Sequence, residues 1–129
     1  MEQKTILLVE DDQILIRMYT RKFEKEGFKV LSAFDGQAGL DELGKATPKP
    51  NIILLDVMLP KLDGFQVLEK VKADPAFKDI PVILLTNLGG AVEDREKGQK
   101  MGAADYLVKS DMTPAQVVEK IKTITENEE

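Results

Sequence analysis

Five short apolar runs recur along the chain, at 6–9, 30–34, 52–55, 82–85 and 106–108, with Ser32 interrupting the second. Each is brief and rich in Ile, Val and Leu, the pattern of strands buried on both faces. The segments between them change period. Leu15, Met18, Tyr19 and Phe23 form one helical stripe that Gly27 stops, and Ala38, Leu40 and Leu43 mark a short second helix before Gly44. Phe65, Leu68 and Val71 mark a third helix, which Asp63 and Gln66 open as a capping box. The last helix starts with Thr113 as N-cap, Pro114 at its first position and Gln116 closing the box, and presents Val117, Val118, Ile121 and Ile124. The fourth, 91–101, is poor in large apolar residues. It contains Gly98, costs about 1 kcal/mol there relative to Ala, and follows a permissive Gly89-Gly90 pair. It is expected to be the least stable element.

Strand and helix thus alternate five times, which predicts a doubly wound α/β fold: a parallel sheet with helices on both faces. With 129 residues, one domain spanning 1–129 is expected. No repeat or linker interrupts it, 45–50 is a turn before the third strand, and the acidic end after Thr125 is expected to fray.

The chemistry lies where the apolar runs stop. Glu10, Asp11 and Asp12 follow the first, Asp56 the third, Thr86 and Asn87 the fourth, and Lys109 and Ser110 the fifth. In a parallel sheet these positions share one edge, the edge at which open α/β folds bind ligands. Carboxylates gathered there repel one another and must hold a proton or recruit a cation. The chain has no Cys and no His, which excludes disulfides, thiolate chemistry, His-based triads and the usual zinc sites. Oxygen ligands alone favour Mg²⁺, with Mn²⁺ as the alternative. A carboxylate beside such an ion can attack phosphorus and form an aspartyl phosphate. Thr86 can donate to one phosphoryl oxygen and Lys109 can pair with another.

Charge and hydropathy narrow the partners. The net charge is −5 and the basic residues are scattered among acids, so direct nucleic-acid binding is not expected. No apolar run approaches the roughly 20 residues of a membrane span, and the N-terminus shows no signal-peptide pattern. A cytoplasmic setting is expected.

The motifs Ile6-Leu-Leu-Val-Glu-Asp-Asp12, Leu55-Asp-Val-Met-Leu-Pro-Lys-Leu-Asp-Gly64, Leu85-Thr86 and Tyr106-Leu-Val-Lys109 resemble those of bacterial response-regulator receiver domains, in order and over nearly the whole chain. The resemblance implies a flavodoxin-like three-layer sandwich with strand order 2-1-3-4-5. It implies that Asp56 takes phosphate from a phosphohistidine on a sensor kinase or phosphotransfer protein. Glu10, Asp11, Asp56 and the Met58 backbone carbonyl would hold Mg²⁺. The Asn87 backbone would join Thr86 and Lys109 at the phosphate, and Thr86 and Tyr106 would form the switch pair. The fourth helix, fifth strand and fifth helix would form the face offered to a downstream protein. The resemblance implies that such a chain is a signalling phosphoacceptor rather than an enzyme, and a receiver domain without an output domain is expected within 1–129.

Three positions depart from the family pattern. Glu10 replaces the commoner Asp and would reach the metal through water. Asn87 stands where a small residue is usual, beside the path of attacking water. Ser110 replaces a Pro that usually follows a cis bond. A cis bond before a non-proline costs about 2.5–4 kcal/mol, so a trans Lys109–Ser110 bond is expected.

Simpler readings compete at several positions. Asp12 and Asp63 read best as helix caps. Thr86 can be a last β-branched strand residue, Tyr106 a core aromatic, and the charged stretch 93–97 a solvated helix face. A receiver fold acting as an interaction module without phosphorylation is the main alternative. Other doubly wound enzymes fit worse. The acids at 10–12 would repel a flavin phosphate, Met58 stands where a haloacid-dehalogenase-like phosphatase needs its second Asp, and no G-x-G-x-x-G is present. If phosphate draws Thr86 inward, the largest change in amide exchange is expected over 87–101.

Overall fold

The computed structural model describes residues 3–87 and 92–126. The elements alternate as β1 (Thr5–Val9), α1 (Gln13–Lys25), β2 (Lys29–Ala33), α2 (Gly36–Lys45), β3 (Ile52–Asp56), α3 (Gly64–Ala73), β4 (Val82–Thr86), α4 (Val92–Lys100), β5 (Asp105–Val108) and α5 (Pro114–Glu126). All strands pair in parallel, in the order β2-β1-β3-β4-β5. The chain winds outward from β1 in one direction to β2 and then, through β3, in the other. The order reverses between β1 and β3, where Val9 pairs with Leu55. The expected doubly wound (βα)5 sandwich is the fold observed.

The two-residue period of a strand divides the core into two layers. Ile6, Leu8, Ile52, Leu54, Ile83, Leu85 and Leu107 face α1 and α5, meeting Tyr19, Phe23, Val117 and Ile121. Leu7, Val9, Ile53, Leu55, Val82 and Leu84 face the opposite side, against Leu43, Val67, Leu68 and Val71. The strands β1, β3 and β4 are buried along their whole length, as their unbroken apolar runs require. At the sheet edge, β2 is not: of its five residues only Ala33 is buried, and Phe34 lies beyond the strand with its ring exposed.

The helices keep their expected caps. The Asp12 carboxylate accepts from the N–H groups of Ile14 and Leu15. Reciprocal boxes close at Asp63/Gln66 and Thr113/Gln116, and Gly27 takes a positive φ of 95° after α1. Three details differ from expectation. The buried face of α1 is Ile16, Tyr19 and Phe23, with Met18 turned outward. α2 runs through Gly44 to Lys45. Gly98 is buried where a Cβ would lie 2.8 Å from Leu84 Cδ1, so the residue that weakens α4 as a helix is what lets it approach β4. The Gly89-Gly90 loop, the helix start at Ala91 and the chain end beyond Glu126 lie outside the described residues. No described helix is long and apolar enough to cross a membrane.

Candidate functional site

Glu10 leaves the end of β1, Asp56 is the last residue of β3, and these two strands are neighbours. The reversal of strand order therefore sets two carboxylates side by side. Asp11 completes the group. Glu10, Asp11 and Asp56 each offer an oxygen, and these oxygens lie within 4.8 Å of one another. Glu10 is 1% and Asp56 6% exposed, while Asp11 faces solvent.

Lys109, immediately after β5, reaches across the edge to both buried acids. Its Nζ donates to Asp56 Oδ2 at 2.9 Å and to Glu10 Oε1. The remaining oxygens are held by backbone. Asp56 Oδ1 accepts from Met58 N at 3.1 Å, and Glu10 Oε2 accepts from Asp12 N at 3.1 Å. Every oxygen of the two buried carboxylates thus has a donor, the condition under which buried charge is tolerated. The Lys109–Ser110 bond is trans, as expected, and Lys109–Asp111 forms a single 3₁₀ turn.

The electrostatics record one cation among three acids. Burial raises the Glu10 carboxyl, the Lys109 bond and the Asp12 N–H pull it back, and the charge of Asp56 raises it again. Burial and then the neighbouring Glu10 raise Asp11. Burial pulls the Lys109 ammonium down, but its bonds to Glu10 and Asp56 and their charges together leave it raised. Two negative charges are left uncompensated at an open edge. A hard divalent cation with oxygen ligands suits that donor set, because it neutralises the acids and keeps waters for any ligand the protein does not supply.

A cavity of about 340 Å³ opens over this group, lined by Glu10, Asp11, Asp12, Asp56, Met58, Asn87 and Lys109. Most residues expected at the site are therefore together. The exceptions are Thr86, fully buried at the end of β4, and Tyr106, 3% exposed within the core layer on the α3 side. Neither lines the cavity. They meet each other instead: burial and the charge of Asp94 raise the Tyr106 phenol, and the Thr86 hydroxyl beside it and Arg95 lower it.

Gly64 fixes the loop on the far side. A Cβ there would lie 2.4 Å from the Asp56 carbonyl oxygen and 2.7 Å from Val57 Cα, and Gly64 N donates to Val57 O at 2.8 Å. Gly64 thus permits a close approach of α3 to the end of β3. The stretch 93–97 is more than a solvated face. The Arg95 guanidinium lies 5.2 Å from the Tyr106 ring centroid and Lys97 Nζ lies 4.4 Å from that of Phe65. A helix with one large apolar residue, Val92, must be seated by something else, and that poverty was the available sign.

A family model described as the response regulator receiver domain matches residues 6–122. The response regulator PleD of Caulobacter vibrioides is 43% identical over 104 residues, covering 81% of this chain and 22% of PleD. The receiver domain of the Francisella response regulator 1452 superposes with a TM-score of 0.89 at 26% identity, covering 98% of this chain and 100% of that one. The Mn²⁺-bound form of response regulator Rcp1 superposes with a TM-score of 0.80 at 32% identity, covering 93% of this chain and 92% of that one. The chain spans about half or less of the length of the curated relatives it matches. Matched from its first strand to its last helix, and with an acidic group gathered at the strand-order reversal, the chain belongs to the receiver domains of two-component response regulators.

Proposed function

We propose that Asp56 accepts a phosphoryl group from a phosphohistidine on a sensor kinase or phosphotransfer protein, and that the phosphorylated domain changes its affinity for a downstream protein. The observation that carries this reading is the shared hold on Asp56. Its carboxylate ends a buried strand, is bonded to Lys109 and Met58 N, and opens into a cavity with Glu10 and Asp11 beside it. The chain has no His, so the donor imidazole belongs to another chain or domain.

Asp56 supplies the attacking oxygen. A P–O bond forms to it as the P–N bond to the donor imidazole breaks, and the electron pair leaves on nitrogen. Lys109 already touches the nucleophile and is placed to hold a phosphoryl oxygen once Asp56 carries the group. In this reading Thr86, buried at the end of β4, would turn toward the phosphoryl group, where the Asn87 backbone would join it. Glu10, Asp11, Asp56 and the Met58 carbonyl would hold Mg²⁺, or Mn²⁺, the ion bound in the Rcp1 structure, with Glu10 acting through water. The ion would neutralise charge on the phosphoryl oxygens and fix their direction. The output surface in this reading is α4, β5 and α5, and the setting is the cytoplasm.

Beryllofluoride, which mimics a phosphoryl group on a carboxylate, tests the reading. With Mg²⁺ it should bind wild type and shift amide resonances around Asp56, Thr86 and Lys109. Asp56→Asn should abolish the shifts. Binding to both proteins alike, or to neither, would leave the interaction module without phosphorylation as the better account.

A further inference from the structure

We propose that Arg95 is a positioning residue that holds Tyr106 turned into the core and ties the seat of α4 to that orientation. The proposal rests on side-chain geometry and not on phosphorylation of Asp56, so the two readings fail separately.

Arg95 grips Tyr106 at two points. Its guanidinium lies 5.2 Å from the ring centroid, and its Nη1 donates to the Tyr106 carbonyl oxygen at 3.1 Å. Arg95 is exposed on one side, yet it meets a single residue both by ring and by backbone. The planar guanidinium permits it, because such a group can lie against a ring while one of its edge N–H groups donates. An ammonium has no flat face and delivers a single point charge. The ring beneath is 3% exposed and lies beside Thr86, the buried end of β4.

The helix depends on this grip. Val92 is the only large apolar residue in α4. Among the described residues, its contacts to the domain include Arg95 on Tyr106, Lys97 on Phe65 and Gly98 against Leu84. A Cβ at Gly98 would also lie 3.6 Å from Tyr106 Cδ2, so the Tyr106 ring meets α4 at Arg95 and again one turn later. If the ring leaves its pocket, Arg95 loses its ring contact and Gly98 loses a neighbour in the same event. Tyr106 orientation and α4 position therefore form one unit with Arg95 as the link.

The chain has two tyrosines, Tyr19 and Tyr106, and no Trp. Protein labelled with 3-fluorotyrosine therefore gives two ¹⁹F signals, assigned with Tyr19→Phe. A soluble paramagnetic chelate then reports the exposure of each ring. In wild type both signals should be protected. Arg95→Ala should broaden the Tyr106 signal severalfold and leave Tyr19 unchanged, and Arg95→Lys should fall between. Lys97→Ala, which removes the neighbouring cation of the same helix, should leave Tyr106 unmoved. An unchanged Tyr106 signal in Arg95→Ala, or an equal effect from Lys97→Ala, overturns the proposal. The link to α4 is tested by amide exchange over 94–100. Arg95→Ala should speed it about tenfold in wild type and little in a Tyr106→Leu background, whereas equal acceleration in both would show that Arg95 stabilises the helix without acting through Tyr106.

Discussion

Lys109 and Asp56, 53 residues apart in sequence, are joined by a 2.9 Å bond from ammonium to carboxylate at the carboxyl edge of the sheet. The same ammonium holds Glu10. Removing it would leave two nearly buried carboxylates facing each other without a counter-charge. Lys109→Met is expected to raise the Glu10 carboxyl further, because the Lys109 bond is what pulls it back. A ¹³C titration of the Glu10 carboxylate would show its midpoint move upward, and an unmoved midpoint would mean that the Asp12 N–H alone holds the charge.

Asp11 carries a cost that pH reveals. Burial and Glu10 raise its carboxyl above the reference value of 3.8, so the folded chain binds that proton more tightly than the unfolded chain. Stability contributed by this group therefore falls as pH rises from the reference value through the raised folded value. At neutral pH the charged Asp11 is destabilising, and Asp11→Asn should raise the melting temperature at pH 7. Because Asp11 faces solvent, the gain should stay below about 1 kcal/mol, and it should vanish at pH values where Asp11 is protonated in both states. Added Mg²⁺ should stabilise wild type more than the variant, and equal stabilisation of both would remove Asp11 from the cation site.

Gly64 is expected to be intolerant for a steric reason. In Gly64→Ala the new methyl meets the Asp56 carbonyl and Val57 Cα, which are backbone and cannot rotate away. A loss of about 1–3 kcal/mol is expected by denaturant unfolding, together with weakened beryllofluoride binding because Asp56 itself must shift. Wild-type stability in this variant would show that α3 can move off β3 freely.

Lys61 lies in the loop between β3 and α3 with φ at 69°, a conformation that bulky side chains rarely adopt. Its ion pair with Asp35 is exposed on the lysine side and long, at 3.7 Å, and so contributes little. Lys61→Asn should raise stability by up to about 1 kcal/mol, measured by the urea midpoint at constant slope. A drop would mean that the Asp35 pair matters more than the backbone strain.

Legibility from sequence followed the physics of each feature. Buried parallel strands are continuous apolar runs, so β1, β3 and β4 were plain, and the residues ending them were candidates before any partner was known. Caps were legible for the same reason: Asp12, Asp63 and Thr113 satisfy local N–H groups, and local geometry is written in short spacing. The burial of α1 was shifted because Met18 and Ile16 are both apolar and only packing against the sheet decides between them. β2 looked like a buried strand because composition does not encode its place at the edge. The seats of Arg95 and Lys97 were hidden because cation–ring contacts join residues far apart in sequence and look, in one dimension, like ordinary surface charge. Gly98 was misread as a simple weakness because the clash it avoids, with Leu84, exists only once α4 lies on β4.

The central claim is that Asp56 is the residue that takes the phosphoryl group. Intact-protein mass spectrometry after incubation with acetyl phosphate and Mg²⁺ tests it most directly. The account predicts one added phosphoryl group on wild type, an adduct that disappears when EDTA is present from the start, and none on Asp56→Asn. An unmodified wild-type chain, or an adduct that survives Asp56→Asn, would contradict it.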